Sequence, residues 1–364
     1  MEFDILRDRI LGSLALAGMG DALGAQTEQW SIDEIADHHG GLVVAFGVPP
    51  PDTFAGANAG KRAEITDDAS QMYYLARALA RSAGQLDYDG WVRCLLDWAQ
   101  NCSKATFMGP STATMVHALL TGEDISRVGV IGNSLRKMTT VGTTNGAAMR
   151  VAPCGLIHPG DIHAACEQAF VTCLPSHDTD IAISAACSIA AGVAQALARS
   201  SLEDVLAACV RGAELGQALG AQRARKVAGP NVSSRIAMAL QIAAHATNDR
   251  GLLVELERQV GNSVLAAESI PAAIGILAYA KADPMRTISL CSSIGNDTDS
   301  IATMAGAIAG AMHGTAALPP ALYQEFLLAN DADYQIGDMA SQLADIAYRN
   351  LDSPGKLLAA DRGR

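Results

Sequence analysis

Apolar residues recur at helical spacing along almost the whole of this chain, and its β-branched runs are short. Ala and Gly are abundant while aromatics make up only 4% of the residues, so the side chains available for packing are mostly small. A chain of 364 residues is long enough to bury a substantial core. The pattern predicts an all-α fold, a single compact globule of many helices joined by short loops over residues 1–350, with a polar tail at 351–364.

The first helical segment runs from about Asp4 to Leu23, with breaks expected at Gly18, Gly20 and Gly24. A loop rich in Gly and Pro follows from about His39 to Glu64, long enough to suggest a functional role. The spacing then predicts a helix from Ile65 to Arg81, opened by Thr66, and others including Ala147–Leu156, Asp180–Arg199 and Asp299–His313. Small residues four apart, as in Ala302, Gly306 and Gly310, predict close helix-to-helix packing in a core. The longest apolar helix expected, about Ile301 to Met312, is shorter than the ~20 residues a bilayer span needs.

Two short acidic clusters, Thr66-Asp67-Asp68 and Asp297-Thr298-Asp299-Ser300, sit where a loop enters an Ala-rich helix. Taken singly, each is an ordinary helix start, with a capping oxygen and carboxylates favoured by the helix dipole. A cap needs only one oxygen, however, and each cluster crowds two carboxylates together at a repulsive cost that a cation would remove. Carboxylates with hydroxyls form the oxygen-only ligand set preferred by Mg²⁺ or Mn²⁺. Brought together by the fold, the two clusters would make a metal site.

A net charge of −12, without a long Lys/Arg run, argues against a nucleic-acid binder. Eight cysteines at irregular spacings, without a C-x-x-C pair, read as buried free thiols. The acidic start Met1-Glu2-Phe3-Asp4 shows no secretory pattern, so the expected setting is cytoplasmic, with no membrane partner.

The order of the motifs adds a family likeness. Gly18-Met19-Gly20-Asp21-Ala22-Leu23-Gly24, Thr66-Asp67-Asp68, Asn145-Gly146-Ala147-Ala148-Met149-Arg150, Ser176-His177-Asp178 and Gly295-Asn296-Asp297-Thr298-Asp299-Ser300 follow one another along nearly the whole chain. In this order and spacing the chain resembles the ADP-ribosylglycohydrolase family, which includes dinitrogenase-reductase-activating glycohydrolases and ADP-ribosylarginine and ADP-ribosylserine hydrolases. Three departures from the family pattern stand out. Ala69 replaces a threonine, Asn296 replaces a glycine, and Val141-Gly142-Thr143-Thr144 differs from a glycine-rich version.

The resemblance implies two Mg²⁺ or Mn²⁺ ions held by Thr66, Asp67, Asp68, Asp297, Asp299 and Ser300. It implies catalytic roles for Glu28 and Asp299, with Glu28 handling a proton of the attacking water or of the leaving group. Thr143, Asn145, Gly146, Met149 and His177 are implied as substrate contacts. The expected substrate is an ADP-ribosylated protein or a small ADP-ribosyl compound, cleaved at its glycosidic bond to release ADP-ribose. Two alternatives stay open: an N-ribosyl hydrolase of a nucleoside-like metabolite, and a non-catalytic, crystallin-like binding protein.

Overall fold

The small-residue stripe foreseen around Gly306 is where the molecule is tightest. In the computed structural model, which describes residues 1–351, the helix Phe3–Gly24 lies along the helix Thr298–His313 for most of its length. A Cβ added at Gly20 would stand 2.5 Å from the Ala302 carbonyl oxygen, and one at Gly306 would stand 2.7 Å from that of Leu16. Only glycine permits this approach. Ser13 completes the seam by donating to the Ala307 carbonyl at 2.7 Å. The two ends of the chain thus form the centre of the fold.

Among the described residues there are seventeen α-helices and no strand, only three isolated bridges. One hydrophobic cluster runs through them from Leu6 to Ala347. A second seam holds Asp180–Leu197 between Ile162–Cys173 and Leu202–Arg223. There Ser184 and Ser188 donate to the carbonyls of Ala213 and Cys209 at 2.7 and 2.8 Å, so buried hydroxyls also join helices. All eight cysteines are free, six of them buried.

Four expectations need correcting. The first helix does not break at Gly18 or Gly20 but runs unbroken to Gly24. A mid-helix glycine costs about 1 kcal/mol, and close packing offsets it, of Gly18 against Tyr73 and Phe326 and of Gly20 against Ala302. The loop expected from about His39 to Glu64 begins where the helix Ile32–His39 ends, but it is interrupted by a one-turn helix, Phe54–Ala57. The stretch read as the helix Ala147–Leu156 is a 3₁₀ turn, Asn145–Ala147, followed by the short helix Ala152–Leu156. The longest apolar helix is Asp180–Leu197, whose 18 residues have the length and composition of a span but are 89% buried within the protein. The predicted tail 351–364 lies, beyond Leu351, outside the described residues.

Candidate metal centre

Thr66 caps the helix Asp67–Arg81, its Oγ1 accepting the Asp68 amide at 3.3 Å. The cap reading of the first cluster therefore holds, but it uses the hydroxyl and neither carboxylate. Asp297 caps Thr298–His313 by its backbone, without a side-chain capping bond. Its Oδ2 instead accepts from Asn145 Nδ2, which also donates to Ser269 Oγ at 3.0 Å. Capping accounts for the placement of both helix starts and for neither pair of aspartates.

The two clusters meet. Thr66 Oγ1 donates to Asp299 Oδ2 at 3.4 Å, across 233 residues of sequence. Glu28 joins them on a turn fixed from two sides. The Gln29 amide donates to the Asn296 carbonyl at 2.7 Å and the Asn296 amide to the Trp30 carbonyl at 2.8 Å. Asn296 holds φ +60°, a left-handed conformation asparagine adopts more readily than most residues, so its replacement of glycine keeps the turn. One ligating oxygen from each of Glu28, Asp297 and Asp299 lies within 4.8 Å of the others.

Asp21 is the member of this group that sequence reasoning did not single out. Fully buried in the first helix, it accepts the Thr66 amide at 3.0 Å and the Ala69 amide at 2.9 Å, and so anchors the start of the helix that carries Asp67 and Asp68. The signal was present as a single acid in an otherwise apolar helical stretch. Ala69 serves this contact through its backbone, which the exchange from threonine leaves intact.

These carboxyls crowd a cleft of about 300 Å³ whose wall includes Glu28, Asp67, Asp68, Asp297, Asp299 and Ser300. Burial first, and then the neighbouring Asp299 charge, push Asp297 up to about 8, Asp21 to about 7 and Glu28 to about 11, while burial lifts Asp299 to about 6. Asp67 and Asp68 rise well above the usual range for the same two reasons. Glu28 Oε2, Asp68 Oδ2 and Asp299 Oδ1 are buried without any hydrogen-bond partner. Unpartnered buried carboxylate oxygens converging from three segments are costly alone and fit a hard divalent cation.

The linkage gives a prediction. A carboxyl whose pKa is higher folded than unfolded stabilises the fold fully below its unfolded value, near 3.8, and ceases to as pH rises through its folded value. In EDTA the melting temperature is therefore expected to fall as pH rises from about 5 through the 6-to-8 interval of Asp299, Asp21 and Asp297. Saturating Mn²⁺ should flatten that decline. Thermal melts across this range check it, and a metal-free profile that rises toward pH 8 would exclude it.

Thr144, Asn145, Gly146 and Met149 line the cleft, as do Phe54 and Phe107, whose rings meet edge to face at 6.0 Å. Two expected contacts are displaced from its wall. Thr143 turns its hydroxyl to the Thr140 carbonyl at 3.0 Å, leaving Thr144 at the cleft. His177 is fully buried behind Thr144, with both ring nitrogens engaged by protein hydroxyls. Local sequence could not separate Thr143 from Thr144, because the alternation that decides which hydroxyl faces the cleft is set by pairing of Thr144 with Leu265.

Helices that carry acidic clusters at their starts, packed so that the clusters converge on one cleft, define a class of protein. The family model for ADP-ribosylglycohydrolase matches residues 3–352, and the chain belongs to that family, one of hydrolases acting on ADP-ribosyl compounds. Among its relatives, the uncharacterized protein YegU of Escherichia coli K12 is 32% identical over 333 residues, covering 90% of this chain and 94% of YegU. An uncharacterized protein of Archaeoglobus fulgidus is 28% identical, covering 84% of this chain and 86% of its own. ADP-ribosylhydrolase ARH3 of Gallus gallus is 38% identical over 103 residues, or 26% of this chain and 27% of its own. The fold is shared with a solved structure described as an ADP-ribosylglycohydrolase-related protein complex, with a TM-score of 0.59 at 20% identity, covering 94% of this chain and 99% of that one.

Proposed function

We propose that this chain is a Mg²⁺- or Mn²⁺-dependent hydrolase that cleaves the glycosidic bond of ADP-ribosylated protein side chains or of a small ADP-ribosyl compound, releasing ADP-ribose. The observation that carries this reading is the meeting of Thr66 with Asp299, which brings both acidic clusters and Glu28 to one buried cleft. Thr66, Asp67, Asp68, Asp297, Asp299 and Ser300 would hold two ions. When bound, such ions neutralise the carboxylates, grip vicinal ribose hydroxyls and lower the pKa of water toward neutrality.

The chain's own groups do the rest. Cleavage at an anomeric carbon develops positive charge on the sugar, which the surrounding carboxylate oxygens, Asp299 foremost, stabilise. Glu28, held at the cleft by its docked turn, has an unpartnered oxygen with which to hold or pass the proton that leaves the water or reaches the departing atom. Asn145 spends its side-chain amide on Asp297 and its backbone amide on Val264, so its part is to fix a ligand while Gly146 presents backbone to the sugar. Reduced cysteines accord with a cytoplasmic setting.

One observation favours a second reading, hydrolysis of an uncharged N-ribosyl metabolite: no Lys, Arg or His is among the described residues lining the cleft, so a diphosphate would meet no cationic side chain there. Competition by free ADP-ribose separates the two, with tight inhibition supporting the first.

The test is release of ADP-ribose from ADP-ribosylarginine and from an ADP-ribosylserine peptide, with Mg²⁺ or Mn²⁺ and after EDTA. Metal-stimulated turnover is expected in the native protein and none in Asp67→Ala or Asp297→Ala, with helical content preserved by circular dichroism. Turnover that survives chelation or either substitution would rule out the metal-assisted mechanism.

A further inference from the structure

Arg150 lies fully buried between the two walls of the cleft, its guanidinium carbon 5.1 Å from the Trp91 ring centre. It touches neither the acidic cluster nor the cleft directly. Toward the cluster, Nη1 donates to Gln71 Oε1 at 2.7 Å, and Gln71 Nε2 donates to Asp67 Oδ2 at 3.0 Å. Toward the opposite wall, Nη2 donates to Ser176 Oγ at 2.9 Å. Ser176 Oγ is 2.8 Å from His177 Nδ1, and His177 Nε2 is 3.0 Å from Thr144 Oγ1. Gln71, Ser176 and His177 are all buried.

A guanidinium only donates, and this sets the direction of every bond that follows. Ser176 accepts from Arg150, and His177 Nδ1 is the acceptor its own proton faces; at the other end Thr144 Oγ1 gives its proton to Ser111 Oγ at 2.9 Å and so accepts from His177 Nε2. Nδ1 is then the unprotonated nitrogen, and the ring proton sits on Nε2, pointing at Thr144. The same reasoning orients Gln71, with its oxygen toward Arg150 and its amide toward Asp67. The imidazole also backs the wall sterically, since a Cβ at Gly146 would stand 3.0 Å from His177 Nε2.

We propose that Arg150 and Ser176 are positioning residues that lock His177 as its Nε2–H tautomer and thereby hold Thr144 and Gly146 as a fixed sugar-side wall, while Arg150 steadies the ligand Asp67 through Gln71. One buried cation thus aligns the two halves of the site. The substrate-side half of this claim rests on reading the cleft as the ribosyl site. The tautomer and the Asp67 half do not.

The tautomer is read by ¹H–¹⁵N NMR of ¹⁵N-histidine-labelled, metal-free protein, the His177 signals being assigned by their loss in His177→Gln. Nδ1 unprotonated and Nε2 protonated is the expected result, and the opposite tautomer would overturn the proposal. Ser176→Ala should lose the locked tautomer and raise KM about tenfold for the substrate turned over, the loss of one buried hydrogen bond. Its kcat and Mn²⁺ affinity should stay within about twofold, and Ser176→Thr, which keeps the hydroxyl, should restore KM. Gln71→Met should do the reverse, weakening Mn²⁺ binding by about tenfold or more, as measured by electron paramagnetic resonance, with KM at saturating Mn²⁺ little changed. Equal effects of Ser176→Ala and Gln71→Met on both quantities would mean a general structural role and refute the division proposed. If the native protein hydrolyses no ribosyl compound, the functional reading falls, while the NMR and Mn²⁺ measurements still decide this one.

Discussion

Replacing Asp299 by asparagine is expected to abolish turnover and, at the same time, to make the metal-free protein more stable. After burial, Asp299 is the foremost of the charges that raise the pKa of Glu28, Asp21, Asp67, Asp68 and Asp297. Its Oδ1 is buried without a partner. An asparagine oxygen can still accept from Thr66, and its amide can donate to the neighbouring carboxylates, so a repulsion becomes a hydrogen bond. Relief of even about 1 kcal/mol raises the melting temperature of a chain this large by about 2–4 °C. Activity should fall by about a thousandfold or more, because a ligand and a negative oxygen beside the reacting sugar are both lost. Added Mn²⁺ should reverse the order of stability, since only the native cluster gains strongly from binding. Melts of both proteins in EDTA and in Mn²⁺ check the crossing, and a less stable metal-free Asp299→Asn would mean that the crowded carboxylates cost the fold nothing.

Gly24→Ala is the second large effect. The added Cβ would stand 2.5 Å from both Cα and N of Asp299 and 2.6 Å from the Thr298 carbonyl carbon. All three are backbone atoms of a helix start and have no rotamer with which to yield. Overpacking of this kind costs about 3 kcal/mol or more where backbone must move, and here the backbone that moves carries a ligand. Urea denaturation should show that loss, together with weakened Mn²⁺ binding. Gly337→Ala serves as the comparison, because nothing lies within 4 Å of its Cβ position and it opens the helix Ile336–Leu351, so it should be neutral or slightly stabilising. Similar losses in both variants would contradict the account.

The same contacts explain what was legible in the sequence. Thr66, Asp67 and Asp68 stand out because a cap needs one oxygen-bearing side chain and the cluster supplies three in a row. The all-α fold was legible because helical spacing is local. Asp21 was passed over because its partners, the amides of Thr66 and Ala69, lie 45 and 48 residues away and no local pattern announces them. The family resemblance puts His177 among the substrate contacts, whereas its hydrogen bonds run to Ser176 and Thr144, and through Ser176 to Arg150, a distant partner that no local motif announces. Intrinsic preference marks Gly18 and Gly20 as helix breaks, but tertiary packing outweighs it, Gly18 lying against Tyr73 and Phe326 and Gly20 against Ala302.

The acidic cluster at the cleft is drawn from two stretches far apart in the chain. Residues 21–68 supply one half and residues 297–300 the other, and the first helix finds its main packing partner only when Thr298–His313 has been made. During synthesis the first helix must therefore wait, with its glycine-rich face uncovered, until residues 298–313 have left the ribosome. Contacts of such long range make for slow closure. A chain halted before residue 297 would carry only one half of the acidic cluster and nothing to cover its first helix.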